Sequence, residues 1–115
     1  MERLQDGVLV LMIAGRLSFY SRKVFQAVIR NAETTRVHHI IVNMRDVTAM
    51  DSSALGFFAL AHLTLAEKHV GISLVAPPTH IKKILVDANF TQLIPIYETE
   101  TQVLAERAFI LGSAT

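Results

Sequence analysis

Three consecutive residues near the middle of the chain, Asp51, Ser52 and Ser53, place a carboxylate beside two hydroxyls. They follow a mostly apolar segment and precede a long proline-free one, which is the pattern of a strand-to-helix junction. Asp and Ser are favoured at helix starts because their oxygens accept hydrogen bonds from the first free N–H groups. Hydroxyls at such a junction are exposed and could also accept a phosphoryl group. The two interpretations of the site are therefore helix capping alone and a control point at the Ser52-Ser53 pair, where an exposed hydroxyl is modified.

Phosphorylation at this junction would act through charge. A phosphate adds about 1.5 to 2 negative charges at neutral pH, and Asp51 and Asp46 make its surroundings acidic. We expect the resulting repulsion to exceed the attraction of the helix dipole, which is worth up to about 1 kcal/mol. A partner that docks over the junction would then be released.

Short apolar runs alternate with helical patterns along the 115 residues. Strands are predicted at residues 8–14, 39–43 and 72–76, with an edge strand at 94–97. Helices are predicted at residues 21–31, 52–69, 79–88 and 99–111. This alternation predicts an α/β fold, with one mixed, largely parallel sheet of about four to five strands and about four helices packed on it. A single domain is expected over residues 1–115.

The helix that follows Ser52 carries apolar residues on more than one side. Leu55, Phe58 and Leu65 share one arc, which we assign to the sheet. A second line, at steps of four, three and four residues, is predicted to point away from the sheet and consists of Ser53, Phe57, Leu60 and Thr64. Phe57 and Leu60 are expected to anchor a partner or a second copy of the chain, unless another loop covers them.

The composition excludes several functional classes. Eleven Lys and Arg against ten Asp and Glu leave a net charge of +1, without the basic excess typical of nucleic-acid binding. Cysteine is absent, which removes thiolate zinc sites and cysteine nucleophiles. His62 and His69 lack the further ligands that a metal site needs, and the five glycines are too dispersed for a phosphate loop. We therefore expect no cofactor, no metal and no catalysis.

The start of the chain bears on location. It lacks the basic segment and apolar core of a signal peptide, and the apolar run at residues 8–14 is too short to cross a bilayer. We expect a cytoplasmic protein without membrane contact.

Residues 43–58, NMRDVTAMDSSALGFF, resemble the signature of the sulfate-transporter and anti-sigma-factor-antagonist family, known as STAS domains. The likeness runs nearly end to end and includes Gly15-Arg16-Leu17 after the first long strand and Gly71 before a later one. The resemblance implies that Ser52 is phosphorylated by an anti-sigma factor that is itself a serine kinase. A cognate phosphatase is then a second partner.

The chain departs from the family pattern at two positions near Ser52. Ala54 stands where glycine is usual, and Ser18 stands where an acidic residue is common. The first change is mild because alanine favours helix over glycine by about 1 kcal/mol. The second change lowers the acidity near the switch, so Ser18 joins Asp46 and Asp51 as a neighbour that shapes kinase recognition.

The leading hypothesis is an anti-sigma factor antagonist in a partner-switching pathway. It binds its kinase when unphosphorylated and is released by phosphorylation at Ser52. The alternative is a constitutive STAS scaffold or regulatory module, which forms a homodimer or binds a partner through Phe57 and Leu60 without phosphorylation. An enzyme or nucleotide-binding module is a third hypothesis.

Overall fold

A computed structural model describes residues 2–5, 7–18 and 36–113, together with positions 23, 26, 27 and 30. Its five strands are β1 (Glu2–Gln5), β2 (Val8–Leu17), β3 (His39–Met50), β4 (Gly71–Val75) and β5 (Ile96–Tyr97). Its helices are α1 (Ser52–Ala66), α2 (Thr79–Asp87) and α3 (Glu100–Ser113), with a 3-10 turn at Phe90–Gln92. The predicted helix at residues 21–31 lies mostly outside the described residues.

The strands form one sheet in the order β1-β2-β3-β4-β5. β1 is antiparallel to β2, and the other three pairs are parallel. The apolar run of β3 lies in the centre, where Ile40 pairs with Leu9 on one side and Ile72 on the other. The α/β class and the mixed, largely parallel sheet are confirmed.

Helices cover both faces of this sheet. Successive strand residues point to opposite faces, so Ile40 and Ile41 enter different clusters. The larger cluster contains Ile40 together with Phe58 of α1 and Ile81 of α2. The smaller cluster contains Ile41 together with Val103 of α3. The sheet is therefore sandwiched between α1 and α2 on one face and α3 on the other.

Two strands extend beyond their predicted bounds. β2 continues through Gly15, whose φ of +81° coincides with an irregularity in the register against β3. β3 continues from Asn43 to Met50 through a polar stretch that pairs with the end of β2. β1 was not predicted, because its sequence ERLQ has a single apolar residue and the strand forms by pairing with β2.

α1 ends at Ala66 rather than at the predicted His69. The N–H groups of Lys68 and Val70 both donate to the Leu65 carbonyl, and His69 has a φ of +59°. These bonds satisfy the Leu65 carbonyl near the end of the helix, and the chain turns there towards β4. The predicted edge strand is confirmed in shorter form as β5, which pairs with β4 at two positions.

Candidate functional site

Asp51 joins the carboxyl end of β3 to the start of α1. Its backbone is still extended, with φ −98° and ψ 173°, and its carboxylate accepts a hydrogen bond from the Ser53 N–H at 3.0 Å. Its own N–H donates to the Leu17 carbonyl at 3.1 Å, so the end of β2 holds the junction. Asp51 therefore caps α1 by satisfying one of the free N–H groups of the first turn.

The two serines of the junction differ in their surroundings. The Ser53 hydroxyl donates a short hydrogen bond to the Asp51 carboxylate, and the residue is half-buried. Ser52 is exposed, and its side chain makes no hydrogen bond within the described part of the chain. The Ser52 hydroxyl is therefore the more accessible acceptor, whereas the Ser53 hydroxyl is engaged in the cap.

Asp51 is ionised at neutral pH. The hydrogen bond from the Ser53 hydroxyl is the main cause that holds its pKa below the usual value. The backbone N–H groups of Ser53 and Ala54 and the positive charge of Arg16 also lower the pKa, whereas partial desolvation of the carboxylate raises it. A phosphate on Ser52 would therefore stand next to an existing negative charge.

Asp46 lies away from this junction. It pairs with Ala14 in the β2–β3 register, is exposed, and has the Arg45 guanidinium at 3.8 Å from its carboxylate. Because β3 stays extended to Met50, the interval from Asp46 to Asp51 spans more than about 10 Å at strand spacing. The expectation that Asp46 is a close acidic neighbour of Ser52 is corrected by the length of β3.

Ser18 lies next to the junction. It directly follows Leu17, whose carbonyl accepts the Asp51 N–H, and it is half-buried. The ends of β2 and β3 thus bring Ser18 and Asp51 to the same edge of the sheet. Arg16, two residues before Ser18, was not among the predicted site residues, although its charge reaches Asp51.

One side of α1 faces solvent along its whole length. We call it the α1 outer face, and it consists of Ser52, Gly56, Leu60 and Leu63. Steps of four, four and three residues keep these positions within about 80° of the helix circumference. Leu60 is 60% exposed and Leu63 is 58% exposed, so two leucines one turn apart both face solvent. The predicted exposure of Leu60 is confirmed, and Leu63 was missed.

The predicted exposure of Phe57 is wrong. Phe57 is partly buried and packs against the larger core cluster. Thr64, predicted on the same line, is half-buried and lies beside Leu60 at a shallow cavity of about 300 Å³ that Gln26 and Arg30 also line. α1 is apolar on several sides, so its residue pattern did not define which side meets the sheet.

Two further observations limit the chemistry of the described residues. No three His, Asp or Glu side chains among them lie close enough together to hold a metal ion. No helix within the described ranges is both long and apolar enough to cross a membrane.

Curated relatives cover most of the chain. An anti-sigma F factor antagonist from Paenibacillus polymyxa is 25% identical over 103 residues, which are 87% of this chain and 86% of the relative. A STAS-domain containing protein from Pseudomonas aeruginosa (strain UCBPP-PA14) is 36% identical over 89 residues, which are 76% of this chain and 86% of the relative.

Solved structures share the same fold. The anti-sigma factor antagonist SpoIIAA in its unphosphorylated form has a TM-score of 0.78 at 19% identity, over 94% of this chain and 95% of its own. The phosphorylated form of the Bacillus protein has a TM-score of 0.69, over 92% of this chain and 96% of its own. The family model of the STAS domain matches residues 2–103. The chain belongs to the STAS domain family.

Proposed function

We propose that this protein is an anti-sigma factor antagonist that binds a serine-kinase anti-sigma factor when unphosphorylated and is released by phosphorylation at Ser52. The observation that carries the proposal is the contrast between the two junction serines. Ser52 is exposed at the end of the α1 outer face, whereas the Ser53 hydroxyl is engaged by Asp51. The 25% identical anti-sigma F factor antagonist from Paenibacillus polymyxa supports this role.

The α1 outer face is the proposed docking surface for the kinase. Leu60 and Leu63 offer apolar area that solvent covers in the isolated chain. Gly56 lies between them and Ser52, and a methyl group there would meet no described heavy atom within 4 Å. A partner can therefore approach the α1 backbone closely and place its own site over Ser52.

Phosphorylation would change the charge at the edge of this surface. In that step the γ-phosphorus of ATP bonds to the Ser52 oxygen and its bond to the bridging oxygen of ADP breaks. The hydroxyl proton passes to a base of the kinase. The product carries about 1.5 to 2 added negative charges beside the ionised Asp51. A docked partner would have to cover both groups, and the removal of water from charged groups opposes binding. The protein itself supplies a substrate serine and a binding surface, so it is not an enzyme in this scheme.

The first test is whether the modification exists. Phosphopeptide mass spectrometry of the protein from its native cells, in growth and after stress, should find phosphate on Ser52. A phosphate on Ser53 alone, or on neither serine in any condition, contradicts the proposal.

The second test is whether charge at Ser52 controls binding. With a copurifying kinase partner, Ser52→Ala should bind like the wild type and Ser52→Asp should bind at least about tenfold more weakly, which corresponds to about 1.4 kcal/mol. Thr101→Asp is the matched control, because Thr101 is an exposed hydroxyl residue in the first turn of α3, on the opposite face of the sheet from α1. Equal binding of all variants contradicts the switch.

A constitutive scaffold is the second candidate, and the exposed Leu60 and Leu63 favour it because they could join two copies of the chain. Leu60→Glu separates the alternatives better than a change at Phe57, which packs against the core. Sedimentation of an oligomer that Leu60→Glu dissociates would favour the scaffold. A wild-type monomer at high concentration would favour the switch.

A further inference from the structure

Arg16 lies near the end of β2, beside the junction. In the register of the parallel pair, Arg16 is opposite Ala49 and Leu17 is opposite Met50. The Asp51 N–H donates to the Leu17 carbonyl at 3.1 Å, so the pairing continues to the first residue after β3. Arg16 is exposed, and no hydrogen bond to its guanidinium is present within the described residues. Its donors are therefore available.

Sheet geometry puts the side chains of Arg16 and Asp51 on one face. Leu17 and Met50 are buried in the larger core cluster. Arg16 precedes Leu17 by one residue and Asp51 follows Met50 by one, and Asp51 is still extended, so both point to the opposite face. Ala49, between them, contributes only a methyl group. Diagonal neighbours on adjacent strands lie within reach of a long side chain.

The hydrogen bond from the Ser53 hydroxyl is the main cause that lowers the pKa of the Asp51 carboxyl, and the positive charge of Arg16 lowers it further. One oxygen of that carboxylate, Oδ1, already accepts hydrogen bonds from the Ser53 N–H and hydroxyl. A phosphate on the adjacent Ser52 would bring three further acceptor oxygens and a larger negative charge. Guanidinium and phosphate form two parallel charge-assisted hydrogen bonds, a stronger arrangement than a single shared carboxylate oxygen.

We propose that Arg16 is the counter-charge that holds a phosphate on Ser52, so that phosphorylation ties the start of α1 to the end of β2. The inference rests on the proposed function in taking Ser52 as the acceptor. It gives the phosphate a fixed position within the protein, and Arg16 is a positioning residue rather than a kinase contact. Phosphorylation then orders the junction in addition to adding charge.

The test uses the full chain with phosphoserine installed at position 52 during translation, which requires no kinase. A phosphorus NMR titration gives the second pKa of the phosphate. Arg16→Gln should raise this pKa by about half a pH unit, as expected for loss of one exposed ion pair, and Arg16→Lys should restore part of the shift. Arg45→Gln is the matched control, because Arg45 is exposed on β3 and pairs with Asp46 instead. His80→Gln tests the other basic group near the junction, whose Nε2 lies 2.9 Å from the Thr48 carbonyl.

The second readout is thermal stability, compared with and without the phosphate. The phosphate should lower Tm more in Arg16→Gln than in the wild type, because only the variant leaves the phosphate against Asp51 without a counter-charge. Equal phosphate pKa values in Arg16→Gln and Arg45→Gln, or a shift in His80→Gln alone, overturn the inference. If a kinase partner binds the protein equally tightly with and without the installed phosphate, the proposed function is overturned. The effect of Arg16 on the phosphate pKa is independent of that result.

Discussion

The Ser53 hydroxyl donates a hydrogen bond to the Asp51 carboxylate, which also accepts the backbone N–H of Ser53 at 3.0 Å. Both bonds go to the same carboxylate oxygen, Oδ1, so Ser53 is engaged in the cap while the neighbouring Ser52 is left at the surface. Two serines that look equivalent in the sequence therefore have different surroundings. Ser53 is part of the cap, and Ser52 is exposed.

This division predicts different stabilities for two alanine variants. Ser52→Ala and Ser53→Ala gain the same helix propensity, but only Ser53→Ala loses a hydrogen bond to Asp51. Thermal denaturation should give a lower Tm for Ser53→Ala than for Ser52→Ala. Equal Tm values would mean that the Ser53 hydroxyl contributes nothing to the cap.

The Asp51 cap also predicts a pH dependence. Its pKa in the folded protein lies below the usual value of 3.8, so the unfolded chain binds its proton more readily. The stabilisation is present above that usual value and is lost as the pH falls through the folded pKa. Asp51→Asn should keep most of the cap, because Asn is an equally good capping residue, and should lose this acid dependence. Urea unfolding between about pH 3 and pH 7 should show a smaller acid loss for Asp51→Asn than for the wild type.

The sequence predicted the centre of the fold but not its margins. Strands with a continuous apolar run, such as the one around Ile41, could be identified because both faces of a central parallel strand are buried. β1 and the second half of β3 carry polar residues such as Arg45 and Asp46, and they are strands because β2 pairs with them. That pairing is a tertiary interaction, which local residue patterns do not contain.

The site was predicted in part for a similar reason. Capping preferences located Asp51 and the serines correctly, because a cap depends on residues within one helical turn. The direction of α1 depends on which of several apolar sides meets the sheet. Phe58 is fully buried against Phe90 while the adjacent Phe57 is at the margin, and Leu63 is exposed. Only the packed structure distinguishes these positions.

Polar contacts of Glu100 hold α3 to the sheet, and they predict that the loss of this side chain destabilises the protein. Glu100 accepts hydrogen bonds from Asn43 at 2.8 Å and from Arg3, which joins α3 to β3 and β1. Burial opposes ionisation of this carboxyl, but the two donors outweigh burial and hold its pKa below the usual value. Glu100→Ala should lower the free energy of unfolding by about 1 to 2 kcal/mol.

The change should be local to the second face of the sheet. Amide hydrogen exchange should speed up in α3 more than in α1, because Val103 is then the main described residue that anchors α3 in the smaller cluster. Glu106→Gln is the control, because Glu106 is exposed and accepts a hydrogen bond from the Tyr97 hydroxyl, which a glutamine oxygen can also accept. Uniform acceleration in both helices would show that Glu100 acts on global stability instead.

Gly56 predicts opposite effects on stability and on binding. It lies in the interior of α1, on the outer face, four residues from both Ser52 and Leu60. Gly56→Ala should stabilise the isolated protein by about 1 kcal/mol, because alanine loses less entropy in a helix and the added methyl group has room. If a partner docks against the α1 backbone, the same methyl group should weaken the complex.

Thr101→Ala separates the two effects, because Thr101 is exposed in α3 and its replacement also raises helix propensity. Thermal denaturation should show a higher Tm for both variants, and calorimetry with the partner should show weaker binding for Gly56→Ala alone. If Gly56→Ala raises Tm and does not weaken binding of the partner, the partner does not approach this face. Gly56 lies between Ser52 and the exposed leucines, so the pair of variants tests whether a second molecule comes close to the α1 backbone at this position.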